Sequence, residues 1–426
     1  MNRVACDVAV VGGGPGGLAA AIGARETGAR RVVVIERDGH LGGILQQCIH
    51  NGFGLSILEK DLTGPEYAHH YVSEALERGV RCFTNAMAIG LSPDRRITAV
   101  SPEAGLITIE ARAVVLAMGC RERTRGAVWL PGTRPAGIMT AGAAQRFINI
   151  DGYLPGRRIV VLGSGDIGMI MARRLHLEGC IVEAVVEYRG TVGGLTRNLV
   201  QCIRDFDIPL YLRHTVTAIR GTRRVTGVDI SPVDEGGAPD ASRSQTLACD
   251  TLLLSVGLIP ENELSKQAGV QLDEGTGGPI VNESFHTSVP GVFAAGNVLH
   301  VYDLVDDVTR CALAAGTSAA RFAADYEATG PSTDAAARIV PGAGVRSVVP
   351  QRLSAHLPDT VEFHLRASTE GRRRTLELTG RQRGTVYRRR CPVVRASEMV
   401  RATVRGIGAS GDDELTFRIG ENCGEP

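Results

Sequence analysis

Glycines 12, 14 and 17 follow the apolar run Val8–Val11, and an acid, Glu36, closes the next apolar run, Val32–Ile35. The order strand, Gly-x-Gly-x-x-Gly, helix, strand, acid is that of a βαβ unit built to hold a dinucleotide. The first glycine permits a tight turn, the second admits a pyrophosphate close to the backbone, and the third lets helix and strand pack closely. The helix N-terminus offers free N–H groups and a positive dipole end to the phosphates. The acid stands where a carboxylate can bind a ribose hydroxyl. The same constellation recurs about 150 residues later as Gly163, Gly165 and Gly168 after Arg158–Leu162, closing at Glu187. Glycine to acid is nineteen residues in both, Gly17 to Glu36 and Gly168 to Glu187. An internal repeat of this kind fixes the architecture.

Other residues of chemical type are more ambiguous. The stretch Leu41–Gly54 carries no charge from Leu41 to Ile49 and holds Gly42, Gly43, Gln47, Cys48 and His50. It reads either as a segment lying against a ligand or as a glycine loop leading into a buried helix. Cys48 with His50 is a candidate redox thiol, because a neighbouring imidazole lowers a thiol pKa. On a helix, however, positions i and i+2 do not face each other, and a packing role is the alternative. The ten cysteines form no CxxC or CxxxxC pair, which argues against a local redox dithiol and a zinc ribbon. Cys120 follows a buried strand and reads as structural. His69, His70 and His300 read as surface or pocket residues rather than metal ligands.

The elements that must position these residues follow from pattern. Helices are predicted over Leu18–Glu26, from Thr63-Gly64-Pro65-Glu66 to Arg78, over Met169–Glu178 and over about 308–326. Buried strands are predicted at Ala113–Gly119, at Ile181–Val186 and in the run from Asp250 to Pro260. A strand within Thr287–Asn297 delivers Gly296-Asn297 to the last helix. Residues 327–340 read as a linker. The segment 341–426 shows short alternating runs (Val361–Leu365, Thr375–Leu378, Glu414–Ile419) and fifteen arginines against ten acids, densest at Arg372–Arg374 and Arg388–Arg390. That excess reads as a solvated β-domain surface or as a docking face for an acidic partner. Nucleic acid is excluded as a partner, since no aromatics interleave with the arginines and the chain's net charge is +1. No apolar run reaches the roughly eighteen residues of a membrane span. The first strand begins three residues in, so the expected compartment is cytoplasmic.

With these motifs in order, residues 1–326 resemble the pyridine nucleotide–disulfide oxidoreductase superfamily of flavoproteins. Leu41–Gly54, Met118–Arg123 and Gly163–Gly168 are similar to a narrower group, which comprises relatives of glycerol-3-phosphate, opine, proline and cyanide-forming dehydrogenases. The resemblance implies an α/β fold of two Rossmann-like domains, the second inserted in the first; the small β-rich C-terminal domain read from the alternating runs of 341–426 is not the superfamily's usual dimerisation domain. It implies FAD in a discontinuous domain (1–125 and 250–326) and NAD(H), less readily NADP(H), in the insert (126–249). By position, Gly12, Gly14, Pro15, Gly16, Gly17, Glu36, Arg37, Gly42, Gly43, Gln47, Gly119, Gly296 and Asn297 would line the FAD site. Gly163, Gly165, Asp166, Ile167, Gly168, Glu187 and Gly257 would line the second site. Glu187 favours NAD, since a carboxylate repels a 2′-phosphate, although Arg189 stands nearby. Asn297 departs from the usual Gly-Asp ending, and the missing dithiol removes ordinary disulfide reduction. The implied activity is hydride transfer between NAD(H) and FAD and on to a small molecule or acceptor. Alternatives are an electron-transfer subunit with a partner dehydrogenase chain, docked through the basic C-terminal domain, and direct flavin oxidation of a small polyol or amine.

Overall fold

The structure is a computed structural model that describes residues 2–325, 335–407 and 414–421. The chain divides into two compact units, one formed by residues 1–120 with 260–426 and the other by 121–259.

The first unit starts with β1 (Asn2–Val11), α1 (Pro15–Glu26) and β2 (Val32–Ile35). β1 pairs in parallel with β2 and with the strand Gly105–Leu116. These belong to a seven-stranded sheet. Its parallel part also takes Arg81–Phe83 beyond β2 and Val292–Ala294 beside Gly105–Leu116. The pattern of β2, four consecutive buried residues, is that of a strand covered on both faces. The helix Gly64–Glu77 begins where its cap is written, with the Glu66 carboxylate accepting from Thr63 N and Oγ1 at 2.8 and 2.7 Å.

The second unit repeats the theme with β3 (Arg158–Leu162), α2 (Asp166–Leu177) and β4 (Ile181–Glu187). Its five-stranded parallel sheet runs Ile138–Thr140, Thr251–Leu254, β3, β4, Leu210–Leu212. A three-stranded antiparallel sheet, built from the segments 214–220, 227–232 and 245–247, packs within the same unit.

The first unit resumes with α3 (Val305–Asp325), which lies against α1. Both are rich in alanine and glycine, so their backbones approach closely. A Cβ on Gly316 would fall 1.9 Å from the Ala20 carbonyl oxygen, and one on Gly23 would fall 2.3 Å from that of Leu313. Beyond it, a β-sandwich joins a five-stranded sheet to a three-stranded one around Phe363, Leu365, Leu376, Leu378 and Phe417. Its strands β5 (Thr360–Ala367) and β6 (Met399–Arg405) pair antiparallel. The expected linker 327–340 needs correcting at its end. Residues 335–340 are part of the strand Ala335–Pro341, paired with Glu414–Glu421, and Ile339 is buried in the sandwich. Residues 327–334 lie outside the described residues.

Candidate functional site

Two cradles form at corresponding places in the two units. In the first, Gly12 turns the chain out of β1 at φ +106°, and a Cβ there would fall 2.4 Å from the Ala117 carbonyl oxygen. A Cβ on Gly17 would fall 1.7 Å from the carbonyl oxygen of Gly12, so this helix–strand contact admits only glycine. α1 starts at Pro15 with Gly14 as its N-cap and no side-chain cap, which leaves its first-turn N–H groups facing outward. Two distant segments close on the same spot. Gly42 N donates to Gly13 O at 2.8 Å, and a Cβ on Gly43 would stand 3.0 Å from the Gly14 Cα. A Cβ on Gly16 would stand 3.7 Å from the Gly296 Cα and 3.3 Å from Val308 Cγ1. The buried Glu36 accepts from Gly13 N at 2.6 Å and from Asp38 N at 2.8 Å.

Among the remaining first-unit candidates, Gln47 is buried and Arg37 is exposed. Gly119 adopts φ +74°, with open space where a Cβ would point. Asn297 accepts from Tyr302 N at 3.1 Å through Oδ1, while its Nδ2 donates to Cys120 Sγ at 3.7 Å. An aspartate could keep the first bond but could meet Cys120 only by accepting from its thiol, whereas the amide donates to the sulfur.

The second cradle copies the first. Gly163 turns at φ +96° against the Ser255 carbonyl, and Gly165 is the N-cap of α2, again without a side-chain cap. Gly168 packs on Gly163 O and Ser255, and Ile167 is partly buried in this unit's core. Glu187 accepts from Ser164 N at 2.9 Å and from Arg189 N at 2.9 Å, the counterparts of Gly13 and Asp38. The Ser164 hydroxyl adds a 2.5 Å bond to the same carboxylate.

The repeat continues past the acid, which the sequence reading missed. Glu36-x-x-Gly39-x-x-Gly42-Gly43 and Glu187-x-x-Gly190-x-x-Gly193-Gly194 have identical spacing. Gly193 N donates to Ser164 Oγ at 2.8 Å, and Leu195 N and Asn198 Nδ2 donate to Asp166 Oδ1 at 2.8 and 2.5 Å. The second glycine pair thus lies over its cradle as the first pair does. Gly257, at φ +105°, faces Arg123. A cavity of about 280 Å³ opens beside Glu187, lined by Tyr188, Arg189, Arg213, Asp234 and Gly237.

Cys48 ends the short turn Gly43–Gln47 and donates to Ile44 O at 3.3 Å. Burial pushes its thiol up to about 12. His50 lies beside Asn51 O at 3.0 Å, with its ring 5.1 Å from that of Phe53. His69 and His70 are exposed, whereas His300 is buried in the first unit. Among the described residues no group of three or more His, Cys, Asp or Glu side chains converges as a metal site would.

The fit of the first cradle to a flavin nucleotide follows from its construction. It has an uncapped helix N-terminus, glycines that hold side chains away from it, and a buried carboxylate at ribose distance in sequence. The second cradle meets the same requirements.

Known proteins agree with this reading. A family model described as pyridine nucleotide-disulphide oxidoreductase matches residues 6–316. The chain is 26% identical over 313 residues to hydrogen cyanide synthase subunit HcnB of Pseudomonas protegens, covering 68% of this chain and 65% of that protein. It is 25% identical over 317 residues to an opine oxidase subunit of Agrobacterium tumefaciens, covering 68% and 61%. Less than two thirds of these curated relatives' length is spanned. Among solved structures, thioredoxin reductase of T. acidophilum shares the fold with a TM-score of 0.61 at 24% identity, over 74% of this chain and 98% of that one.

Proposed function

We propose that this chain, which belongs to the pyridine nucleotide-disulphide oxidoreductase family, passes hydride between NAD(H) and FAD and hands the electrons to a small molecule or a protein acceptor. The observation that carries the reading is the pair of matching cradles, each with a glycine turn, an uncapped helix N-terminus and a buried acid held by the same two backbone N–H groups. FAD, when bound, supplies the two-electron chemistry.

The chain's own residues supply binding and electrostatics. Gly14, Gly16 and Gly17 admit the pyrophosphate to the N–H groups of α1, and Glu36 accepts a ribose hydroxyl. Gly42, Gly43, Gly296 and Asn297 flank the same nucleotide. Gly163, Gly165, Asp166, Ile167 and Gly168 form the nicotinamide cofactor's cradle, with Glu187 on its ribose. The carboxylate of Glu187 disfavours a 2′-phosphate, so NAD(H) is the preferred coenzyme, while Arg189 and Arg213 beside it leave NADP(H) as the alternative. Hydride transfer between the two cofactors needs no general base, and the reading assigns none. Cys48 lines the flavin side as a thiol rather than reacting as a thiolate, in keeping with its raised pKa. The sequence has no CxxC pair for disulfide exchange.

A second reading makes the chain the FAD-containing subunit of a larger dehydrogenase. Two similar proteins are named as subunits, and Arg388, Arg389 and Arg390 stand exposed on an edge strand of the C-terminal sandwich, an edge suited to an acidic partner. The cytoplasm is the compartment we propose, supported by nine described cysteines of which none is in a disulfide. No helix among the described residues is long and apolar enough to cross a membrane.

Heat-release of bound flavin from the purified protein tests the assignment. One FAD per chain is expected, and protein that stays colourless after incubation with FAD contradicts it.

A further inference from the structure

The C-terminal sandwich lies beyond the matched family region, yet one of its polar faces is partly covered, with His364 buried on it. On β5, Glu362, His364 and Arg366 alternate with Val361, Phe363 and Leu365, and on β6 they stand in register with Thr403, Arg401 and Met399. The apolar set fills the sandwich core. The polar set meets the loop before α3 and its first turns, in the same compact unit. Arg366 clasps the Asp303 carboxylate and donates to Val301 O at 3.0 Å, and Met399 N donates to Asp303 Oδ2 at 2.6 Å. His364 Nδ1 lies 3.9 Å from Cys311 Sγ on α3.

The central contact is at Asp307, which is 2% exposed in the first turn of α3. Its carboxylate is shared by two cations. Arg310 of the same helix reaches one oxygen at 2.8 Å, and Arg401 of the sandwich reaches the other at 2.9 Å. The next residue is Val308, whose Cγ1 stands 3.3 Å from the Cβ positions of both Gly16 and Gly296. The charged trio is therefore fixed to the turn where α3 abuts the first glycine cradle. A buried carboxylate left half-neutralised disturbs both the seating of its helix and the local potential.

We propose that Arg401 is a positioning residue for the flavin nucleotide: by neutralising Asp307 it seats the first turn of α3 against the cradle and sets the charge beside it, so that the C-terminal domain clamps and tunes the FAD site. The inference rests on the FAD reading above. It makes a signed prediction, because the reduced cofactor carries more negative charge than the oxidised one and responds to nearby charge.

The test measures FAD dissociation constants by fluorescence and midpoint potentials by dye equilibration, on the full chain. Arg401→Met is expected to bind FAD about tenfold more weakly and to shift the potential negative. Asp307→Asn, a near-isosteric change, is expected to shift it positive. The double variant is expected to return towards the wild-type potential, and Arg401→Lys to restore most of the affinity. Arg405→Met, exposed at the end of β6, is expected to leave both quantities unchanged. Shifts of the same sign in Arg401→Met and Asp307→Asn, or no shift in either, overturn the clamp and leave the FAD assignment standing. Should Arg401→Met fail to fold, the sign of the Asp307→Asn shift decides alone. A wild-type protein that binds no FAD overturns the assignment and the clamp together.

Discussion

Glu36 and Glu187 show how much a single residue's partners decide. Each spends its two carboxylate oxygens on backbone N–H groups, one from the glycine turn and one from two residues beyond itself. That arrangement holds the acid at the lip of the cradle through backbone donors. Replacing Glu187 by arginine removes the carboxylate beside the 2′ position and adds a third guanidinium near Arg189 and Arg213. The expected outcome is at least a tenfold rise in the ratio of NADPH to NADH efficiency, about 1.4 kcal/mol, read from steady-state kinetics; an unchanged ratio places the coenzyme's ribose elsewhere. Cys48→Ser is expected to keep flavin reduction by NADH within about threefold, since a thiol with a pKa near 12 is not a thiolate at neutral pH. Complete loss with FAD still bound would make Cys48 a redox residue. Both acids were legible in the sequence because period and spacing mark them. The Ser164 hydroxyl and the Gly193 amide were not, because nothing local announces a bond between residues 29 apart.

Among elements, α1 and α3 depend on each other most directly. Their contact has no room for a side chain at Gly316, where any Cβ meets the Ala20 carbonyl. Gly316→Val is expected to destabilise the first unit by about 3 kcal/mol or more and to release flavin on mild heating. Denaturant unfolding measures the first effect and the visible spectrum the second; wild-type stability would mean that the helices do not touch. The sequence located both helices but placed their starts late, at Leu18 instead of Pro15 and near 308 instead of Val305. The reason is physical. Helical periodicity is carried by apolar residues, whereas the first turns here are Pro-Gly-Gly and Val-Asp-Asp, in which glycine and buried acids serve contacts rather than pattern. Asp306 holds Gly54 N and Ser56 N, and Asp307 holds the two arginines.

At the scale of the whole molecule, the repeat in the sequence foretold two dinucleotide folds, because a βαβ unit is specified within forty residues. The C-terminal domain was legible only as short strands. Its pairings join segments far apart, such as Ala335–Pro341 with Glu414–Glu421, and its partly covered polar face looked like ordinary alternation. That face gives the protein a pH signature. Burial opposes charge on His364, but the Cys311 thiol and the Glu362 carboxylate hold its pKa up to about 9. Its contribution to stability is present below the unfolded value near 6.5 and is lost as pH rises through about 9. His300, fully buried beside Tyr302 and His364, is held well below its ordinary value by burial and by the charges of His364 and Arg366, so it costs stability as pH falls below about 6.5. Thermal stability is therefore expected to peak near pH 6.5 and to fall from there to about pH 9, and His364→Gln is expected to flatten that alkaline limb. An unaltered alkaline limb in that variant would remove His364 from the account.

Hydride transfer from coenzyme to flavin is tested most directly by an anaerobic titration of the purified protein with NADH and then NADPH, following the flavin absorbance band. Bleaching by one equivalent of NADH is expected, with NADPH the poorer donor. A yellow protein that neither coenzyme reduces would contradict hydride transfer between the two cradles.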